Sequence, residues 1–310
     1  MIFNVEDGIL GVHFSEGVMQ LSTYKIEYIS LLIIQYIFSI LPRWITLRIG
    51  ALIGFILFKC KAYRKTVYGN MRYCGYWTEE EIAVIVPRLY RNMGRYISDF
   101  LRLSAVNPPY RAVGFDKFEN ACAENRGVIA ILAHIGNWEI LAQFFGKKVK
   151  ELNVIAKPMK NSFVDNWLAA KRASTGVTTI YVQQALRKMI DVLVNKKGVI
   201  AILIDQHGGQ HGTMVPFLGK DANTVRTVAG IVKKTKCAVT PTYSIMQNDG
   251  SYEIYVDVAP EIDTTGLSED EIIYAYQKQH NEIISSWIQK YPEHYFGWFH
   301  KRFRNIIPYN

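Results

Sequence analysis

The stretch Gly127-Val128-Ile129-Ala130-Ile131-Leu132-Ala133-His134-Ile135-Gly136-Asn137-Trp138-Glu139 decides how this chain folds. Its opening run is apolar, too short for a helix and rich in β-branched residues, which predicts a strand buried on both faces. An imidazole then leaves the strand end, Gly136 lets the chain turn, and Asn137 can cap a following helix. The run GVIAIL returns at Gly198 to Leu203, again followed by a polar residue, Asp205. The simplest account is two equivalent buried strands that share one packing solution. In open α/β sheets ligands bind beyond the carboxyl ends of strands, where both His134 and Asp205 fall.

Short apolar runs alternate with helical stretches on either side of this segment. Candidate strands are Val128 to Ala133, Leu152 to Ala156, Val177 to Val182, Val199 to Ile204, Ala238 to Ser244 and Tyr252 to Val258. Candidate helices are Asn137 to Phe145, Ser162 to Ser174, Gln183 to Asn195, Val225 to Lys236 and Ser268 to Lys290. The pattern predicts an α/β fold with a largely parallel central sheet flanked by helices on both faces, the last strands pairing antiparallel.

Before residue 127 the pattern is different. Tyr28 to Leu41 is almost wholly apolar, and Leu47 to Phe58 follows after Pro42. Fourteen residues make about 21 Å of helix, while the hydrocarbon core of a bilayer is about 30 Å thick. A tilted anchor, or one lying partly in the interface beside Arg43, Trp44 and Arg48, therefore fits better than a clean crossing. The basic, aromatic connector Lys59 to Arg72 suits a headgroup layer. Thr78 before Glu79, Glu80 and Glu81 reads as the cap of an amphipathic helix reaching about Ser104. The expected division is an extension over 1–24, anchor and connector over 25–72, and an α/β domain over 73–310. Within the extension, Met19 is read as the natural start.

With 310 residues, 49% of them hydrophobic, the chain can bury a full core and is neither disordered nor fibrous. A net charge of +9 favours anionic partners without choosing among them. Cys60, Cys74, Cys122 and Cys237 form no CxxC pair and no zinc spacing, so they read as reduced packing residues. No nucleic-acid module accompanies the charge.

The chemistry centres on His134 and Glu139. A carboxylate in the first turn of a helix can reach back to an imidazole at the preceding strand end, set its tautomer and make it a general base. Asp205 is either a residue holding the loop beside His134, which is favoured, or a substrate contact. His207 reads as loop structure, and Gly208-Gly209 lacks the Lys-Ser/Thr ending of a phosphate-binding loop.

The run His134-Ile135-Gly136-Asn137-Trp138-Glu139 resembles the His-x4-Asp/Glu motif of glycerolipid and lipid A acyltransferases, especially the HxGNWE form of the lipid A late-acyltransferase family. Asp205-Gln206-His207-Gly208-Gly209, Val215 to Gly219 and Ala222-Asn223-Thr224 follow in that family's order. Pro292 to Phe303 is similar to its closing PEQWxWxHKRW run, and the apolar N-terminal segment and Arg64 to Asn70 also match. The resemblance extends from about Tyr24 to Arg304. Two departures stand out: Lys157-Pro158 where many relatives carry arginine before proline, which loses a bidentate grip, and Phe303 in place of tryptophan.

The resemblance implies an O-acyltransferase. His134, oriented by Glu139, deprotonates a hydroxyl of a phosphorylated glycolipid, a lipid A precursor, which attacks an acyl carrier protein thioester. The oxyanion would be met by backbone N–H groups around Gly136 and Asn137 or by Lys157. Asp205 and Thr224 would contact substrate or support the site. Arg64, Lys301 and Arg302 would meet phosphate or membrane, with packing an equal reading for the last two. No metal or cofactor is implied, and the expected location is the cytoplasmic face of a bacterial inner membrane. The rival readings are another glycolipid or aminolipid acceptor, a metal-dependent hydrolase using His134, Glu139 and Asp205, and a catalytically silent lipid-binding protein.

Overall fold

In the computed structural model, Val128 to Leu132 forms a fully buried strand, β2, with a hydrophobic core on each side. Ile129 and Ile131 enter one core, while Val128, Ala130 and Leu132 enter the other, the period-2 alternation of a strand covered on both faces. The structure describes residues 15–103, 107–149, 151–304 and 306–309. Residues 1–14 of the expected extension and the helix end expected at Ser104 lie outside them.

Among the described residues the central sheet has seven strands: β1 (Tyr110–Val113), β2, β3 (Leu152–Ala156), β4 (Val177–Tyr181), β5 (Val199–Leu203), β8 (Ala238–Met246) and β9 (Tyr252–Val256). Their spatial order is β1-β9-β8-β2-β5-β3-β4, parallel throughout except between β8 and β9. The two GVIAIL runs are neighbours in register, from Val128 opposite Val199 to Leu132 opposite Leu203. His134 and Asp205 therefore leave the same sheet edge side by side.

Helices α5 (Phe115–Ala123) and α6 (Trp138–Gly146) cover one face. The other face carries α3 (Arg64–Cys74), α4 (Glu79–Leu101), α9 (Thr227–Thr235) and α10 (Glu269–Lys290). Thr78 and Glu81 form a capping box at the start of α4, as the hydroxyl followed by acids implied. One expectation needs correcting, and two elements are additional to those expected. The helix expected over Gln183 to Asn195 is a 3-10 turn, a short α8 (Ala185–Ile190) and a π-helical turn, Asp191–Asn195. Strand β1 and the hairpin of β6 (Thr213–Phe217) and β7 (Lys220–Thr224) were not anticipated, because Tyr110-Arg111-Ala112-Val113 and Lys220-Asp221-Ala222-Asn223-Thr224 lack an apolar run.

At the N-terminus α1 (Ser15–Ile40) runs without a break through Met19, and α2 (Arg43–Lys59) follows the turn at Pro42. Among the described residues no helix is long and apolar enough to cross a membrane. Helix α1 turns Phe38 and some of its polar groups inward and leaves most of its apolar side chains outward. Gln35 accepts from the Trp167 indole at 2.9 Å, and Asn161 Nδ2 donates to Tyr24 O at 2.9 Å and Glu27 Oε2 at 3.0 Å. Trp167 belongs to α7 (Ser162–Ala173), which Asn161 caps just beyond β3. Ile26, Ile33, Tyr36 and Ile40 on α1, with Trp44, Leu52 and Ile56 on α2, are all about half exposed or more.

Helix α2 lies against α4 at backbone contact distance. A Cβ on Gly50 would sit 2.2 Å from Gly94 O, one on Gly94 1.8 Å from Gly50 O, and one on Gly54 2.0 Å from Tyr90 O. The four-residue spacing of Gly50 and Gly54 is the small-xxx-small arrangement that lets helices approach where lipid gives no hydrophobic drive. Gly54→Ala must separate the helices, and we expect it to cost about 2 kcal/mol. Thermal unfolding in detergent would show this as a lowered midpoint, and an unchanged midpoint would mean the contact yields freely.

Candidate active site

The loop after β2 is held on both sides. Phe296 N–H donates to His134 O at 2.6 Å, and Gly136 N–H donates to His294 O at 2.9 Å. Gly136 adopts φ +64, and a Cβ there would lie 1.5 Å from Ser244 O, so both the turn and the close approach to β8 require glycine. Asn137 Oδ1 then accepts Ile140 N–H at 3.2 Å and caps α6, as expected. Its Nδ2 donates to Tyr96 O and Tyr252 OH, both at 3.2 Å, which fixes where α6 begins.

His134 meets Asp205 through two contacts. The imidazole Nδ1 lies 2.8 Å from Asp205 Oδ1, and the His134 backbone N–H donates to Oδ2 at 3.0 Å. The Asp205 side chain is fully buried. Burial pushes its carboxyl up, but His134, with a smaller pull from His300, outweighs this and holds it down at about 2. An ionised carboxylate only accepts, so Nδ1 carries a proton, and in the neutral ring Nε2 keeps the lone pair. Trp138 packs edge-on against the ring at 4.9 Å, and the His134 side chain remains 14% exposed. The imidazole is thus oriented through Nδ1, with Nε2 turned away from Asp205.

Glu139 does not supply that orientation. Its carboxylate takes a bidentate pair from Arg172 on α7, Oε2 from Nε at 3.0 Å and Oε1 from Nη2 at 2.5 Å. Burial pulls the Arg172 guanidinium down, and Glu139, helped by Asp165 and Tyr181, more than offsets it. This pair joins α6 to α7. Five positions of sequence placed Glu139 near His134, but Asn137 turns the chain so that the carboxylate faces α7. No local pattern announced Arg172, which comes from a different βα unit.

The remaining sequence candidates separate by location. Asp205 lies against the loop, accepting from the backbone and the ring of His134. Gly136 N–H is spent on His294 O and is not available to an oxyanion, which corrects one expected donor. Lys157 is exposed just past β3, on the sheet edge that carries His134. Thr224 is buried, and its Oγ1 accepts from Asn281 Nδ2 and Arg302 Nη2, each at 3.0 Å. Arg302 also donates to Asn223 O and is only 3% exposed, so it braces β7 inside the protein and touches neither membrane nor solvent phosphate. Lys301 is exposed beside it. Arg64 is half-buried, its guanidinium over the rings of Phe58 at 5.4 Å and Tyr68 at 5.2 Å.

Two further groups complete the cluster. Gln206 Nε2 lies 3.4 Å from His134 Nε2 and 3.3 Å from His300 Nε2, and the two imidazole rings are 5.5 Å apart. Burial, with repulsion from His134, lowers His300 to about 4, so it is neutral at neutral pH. Both residues lie within motifs read for other reasons, and only the fold brings them to Nε2. Among the described residues no three His, Cys, Asp or Glu side chains converge as metal ligands.

No curated protein matches the chain. The sequence model of the bacterial lipid A biosynthesis acyltransferases matches residues 13–305, nearly its whole length. With an oriented, partly exposed histidine at the carboxyl edge of a parallel sheet, and that match running from the first helix to the closing motif, the chain belongs to the bacterial lipid A biosynthesis acyltransferase family.

Proposed function

We propose that this lipid A acyltransferase moves a fatty acyl chain from an acyl carrier protein thioester to a hydroxyl of a phosphorylated lipid A precursor, at the cytoplasmic face of the inner membrane. The observation that carries the reading is His134, with Nδ1–H pinned on buried Asp205 and Nε2 facing only the exposed Gln206 amide. That is the form a general base needs to take a proton from a hydroxyl. The hydroxyl oxygen attacks the thioester carbon, the carbonyl becomes an oxyanion, and collapse expels the thiolate, which takes the proton back from Nε2.

The outward apolar faces of α1 and α2 support a protein lying in one leaflet. Arg48 stands over Trp44 at 4.9 Å and Lys59 over Phe55 at 5.3 Å, cations and rings of the kind that occupy a headgroup layer. Asn161, at the carboxyl edge of the sheet, bonds Tyr24 of α1, so that helix lies beside the edge bearing the site. The net charge of +9 suits an acidic carrier and a phosphorylated acceptor alike.

The test is transfer of labelled acyl groups from acyl carrier protein thioesters to lipid A precursors in detergent, with His134→Ala as the comparison. A loss of about 10²-fold or more with folding unchanged is expected. Undiminished transfer by His134→Ala would overturn the mechanism, and transfer only to another glycolipid or aminolipid would overturn the acceptor.

A further inference from the structure

An oxyanion forming on the thioester carbonyl beside His134 needs a hydrogen-bond donor close to the attacking oxygen. Among the groups beside the ring, Gly136 N–H is engaged by His294 O and the side-chain amide of Asn137 by Tyr96 O and Tyr252 OH. Gln206 is different. It is exposed, it follows Asp205 at the end of β5, and its Nε2 lies within 3.4 Å of the nitrogen that takes the proton. Because Nε2 of His134 carries a lone pair, the group facing it is the amide NH2 and not the amide oxygen. The second amide hydrogen faces Nε2 of His300 at 3.3 Å.

We infer that the Gln206 side-chain amide is the donor to the oxyanion, aimed by Nε2 of His300. This rests on the acyl-transfer reading above. In the resting site one amide hydrogen occupies the place of the acceptor hydroxyl on His134. When that hydroxyl binds Nε2 it displaces the amide hydrogen, which is left beside the carbonyl about to be attacked. The hydroxyl proton passes to Nε2, the oxygen forms the new C–O bond, and the carbonyl electron pair moves onto oxygen and accepts from the amide. Collapse restores C=O and breaks C–S, and the leaving thiolate takes the proton from Nε2. His300 stays an acceptor throughout, because a site where His134 becomes cationic disfavours a second imidazolium. Gln206 is thus a catalytic residue and His300 a positioning residue.

The experiment measures initial rates of the full-length protein in detergent with a dodecanoyl acyl carrier protein thioester. Two acceptors are used, a lipid A precursor and water, since hydrolysis of the thioester passes through the same oxyanion. Gln206→Ala is expected to lower kcat by about 10²-fold, with the KM for the thioester changed by less than about threefold. Gln206→Glu should be at least as slow, because a carboxylate repels the oxyanion. His300→Ala should lower kcat by about tenfold alone, but by nothing further in the Gln206→Ala background, the coupling expected when one residue acts through the other.

A Gln206→Ala enzyme within about threefold of wild type in kcat, or a loss confined to KM, overturns the assignment of Gln206. Independent, multiplying losses overturn the role of His300. A wild type that hydrolyses the thioester yet transfers nothing to the glycolipid overturns the acceptor reading alone, and hydrolysis then decides the inference. A wild type with neither activity overturns both.

Discussion

Asp205→Asn is expected to lower kcat for acyl transfer by about 10³-fold or more with the fold intact, the scale seen when an aspartate that orients a catalytic histidine becomes an amide. Asp205 accepts twice, from Nδ1–H and from the backbone N–H of His134. Asparagine has one acceptor oxygen. If it keeps the backbone bond, its NH2 faces Nδ1, which must then accept. The ring proton moves to Nε2 and the base is lost. Glu139→Gln makes the opposite case, since a glutamine oxygen still accepts from Arg172 and Nδ1 is untouched, so its effect should fall mainly on stability. Kinetics and thermal unfolding of the two variants side by side decide which carboxylate orients the imidazole. A large kcat loss in Glu139→Gln with near-normal Asp205→Asn would return that role to Glu139. The pH dependence has a definite sign. Asp205 is depressed to about 2, so its contribution to stability is present above its unfolded pKa of ~3.9 and is lost as pH falls through about 2.

The reach and limit of the sequence show in these same residues. Two copies of GVIAIL, each followed by a polar group, indicated equivalent strands and placed His134 and Asp205 at one sheet edge. The structure makes the strands neighbours and lets those residues touch. That was legible because continuous apolar runs have a single destination, the middle of a parallel sheet. Polar partners were less so. Glu139 lies closer to His134 in sequence than Asp205 does, yet direction out of a turn is set by Asn137, whose own partners Tyr96 and Tyr252 come from α4 and β9. Packing and a phosphate or membrane contact stayed equal readings for Arg302 for the same reason, since nothing local reports that Asn223 and Thr224 receive it inside. Within the apolar run Tyr28 to Leu41, the inward direction of Gln35 was hidden until Trp167, from another βα unit, gave it a partner.

Those long-range partners also set the cost of disturbing them, and the largest stability loss is expected at Asp99. This carboxylate is fully buried and accepts from Arg43 Nε at 2.9 Å, Arg43 Nη2 at 2.7 Å and Tyr252 OH at 2.9 Å. Tyr252 OH in turn accepts from the Asn137 amide, so a chain of polar contacts runs from the first residue of α2 to the turn after His134. Asp99→Ala leaves a buried hydroxyl without its acceptor and a mostly buried guanidinium with only Gly250 O, at 2.6 Å from Nη2, and no counter-charge. Removing one partner of such a pair costs about 3–5 kcal/mol, toward the lower end here because the Arg43 side chain keeps 19% of its exposure. Unfolding of the detergent-solubilised protein measures it, and a midpoint unchanged from wild type would show that water replaces Asp99 without cost. The double variant Arg43→Leu with Asp99→Leu should be less destabilised than Asp99→Ala, because it removes the stranded charge along with its partner. If both variants also lose kcat in proportion, the start of α2, whose outer face is apolar, and the turn that presents His134 behave as one mechanical unit. If stability recovers in the double variant while kcat does not, Asp99 aims the turn through Tyr252 and Asn137 independently of the charge it neutralises.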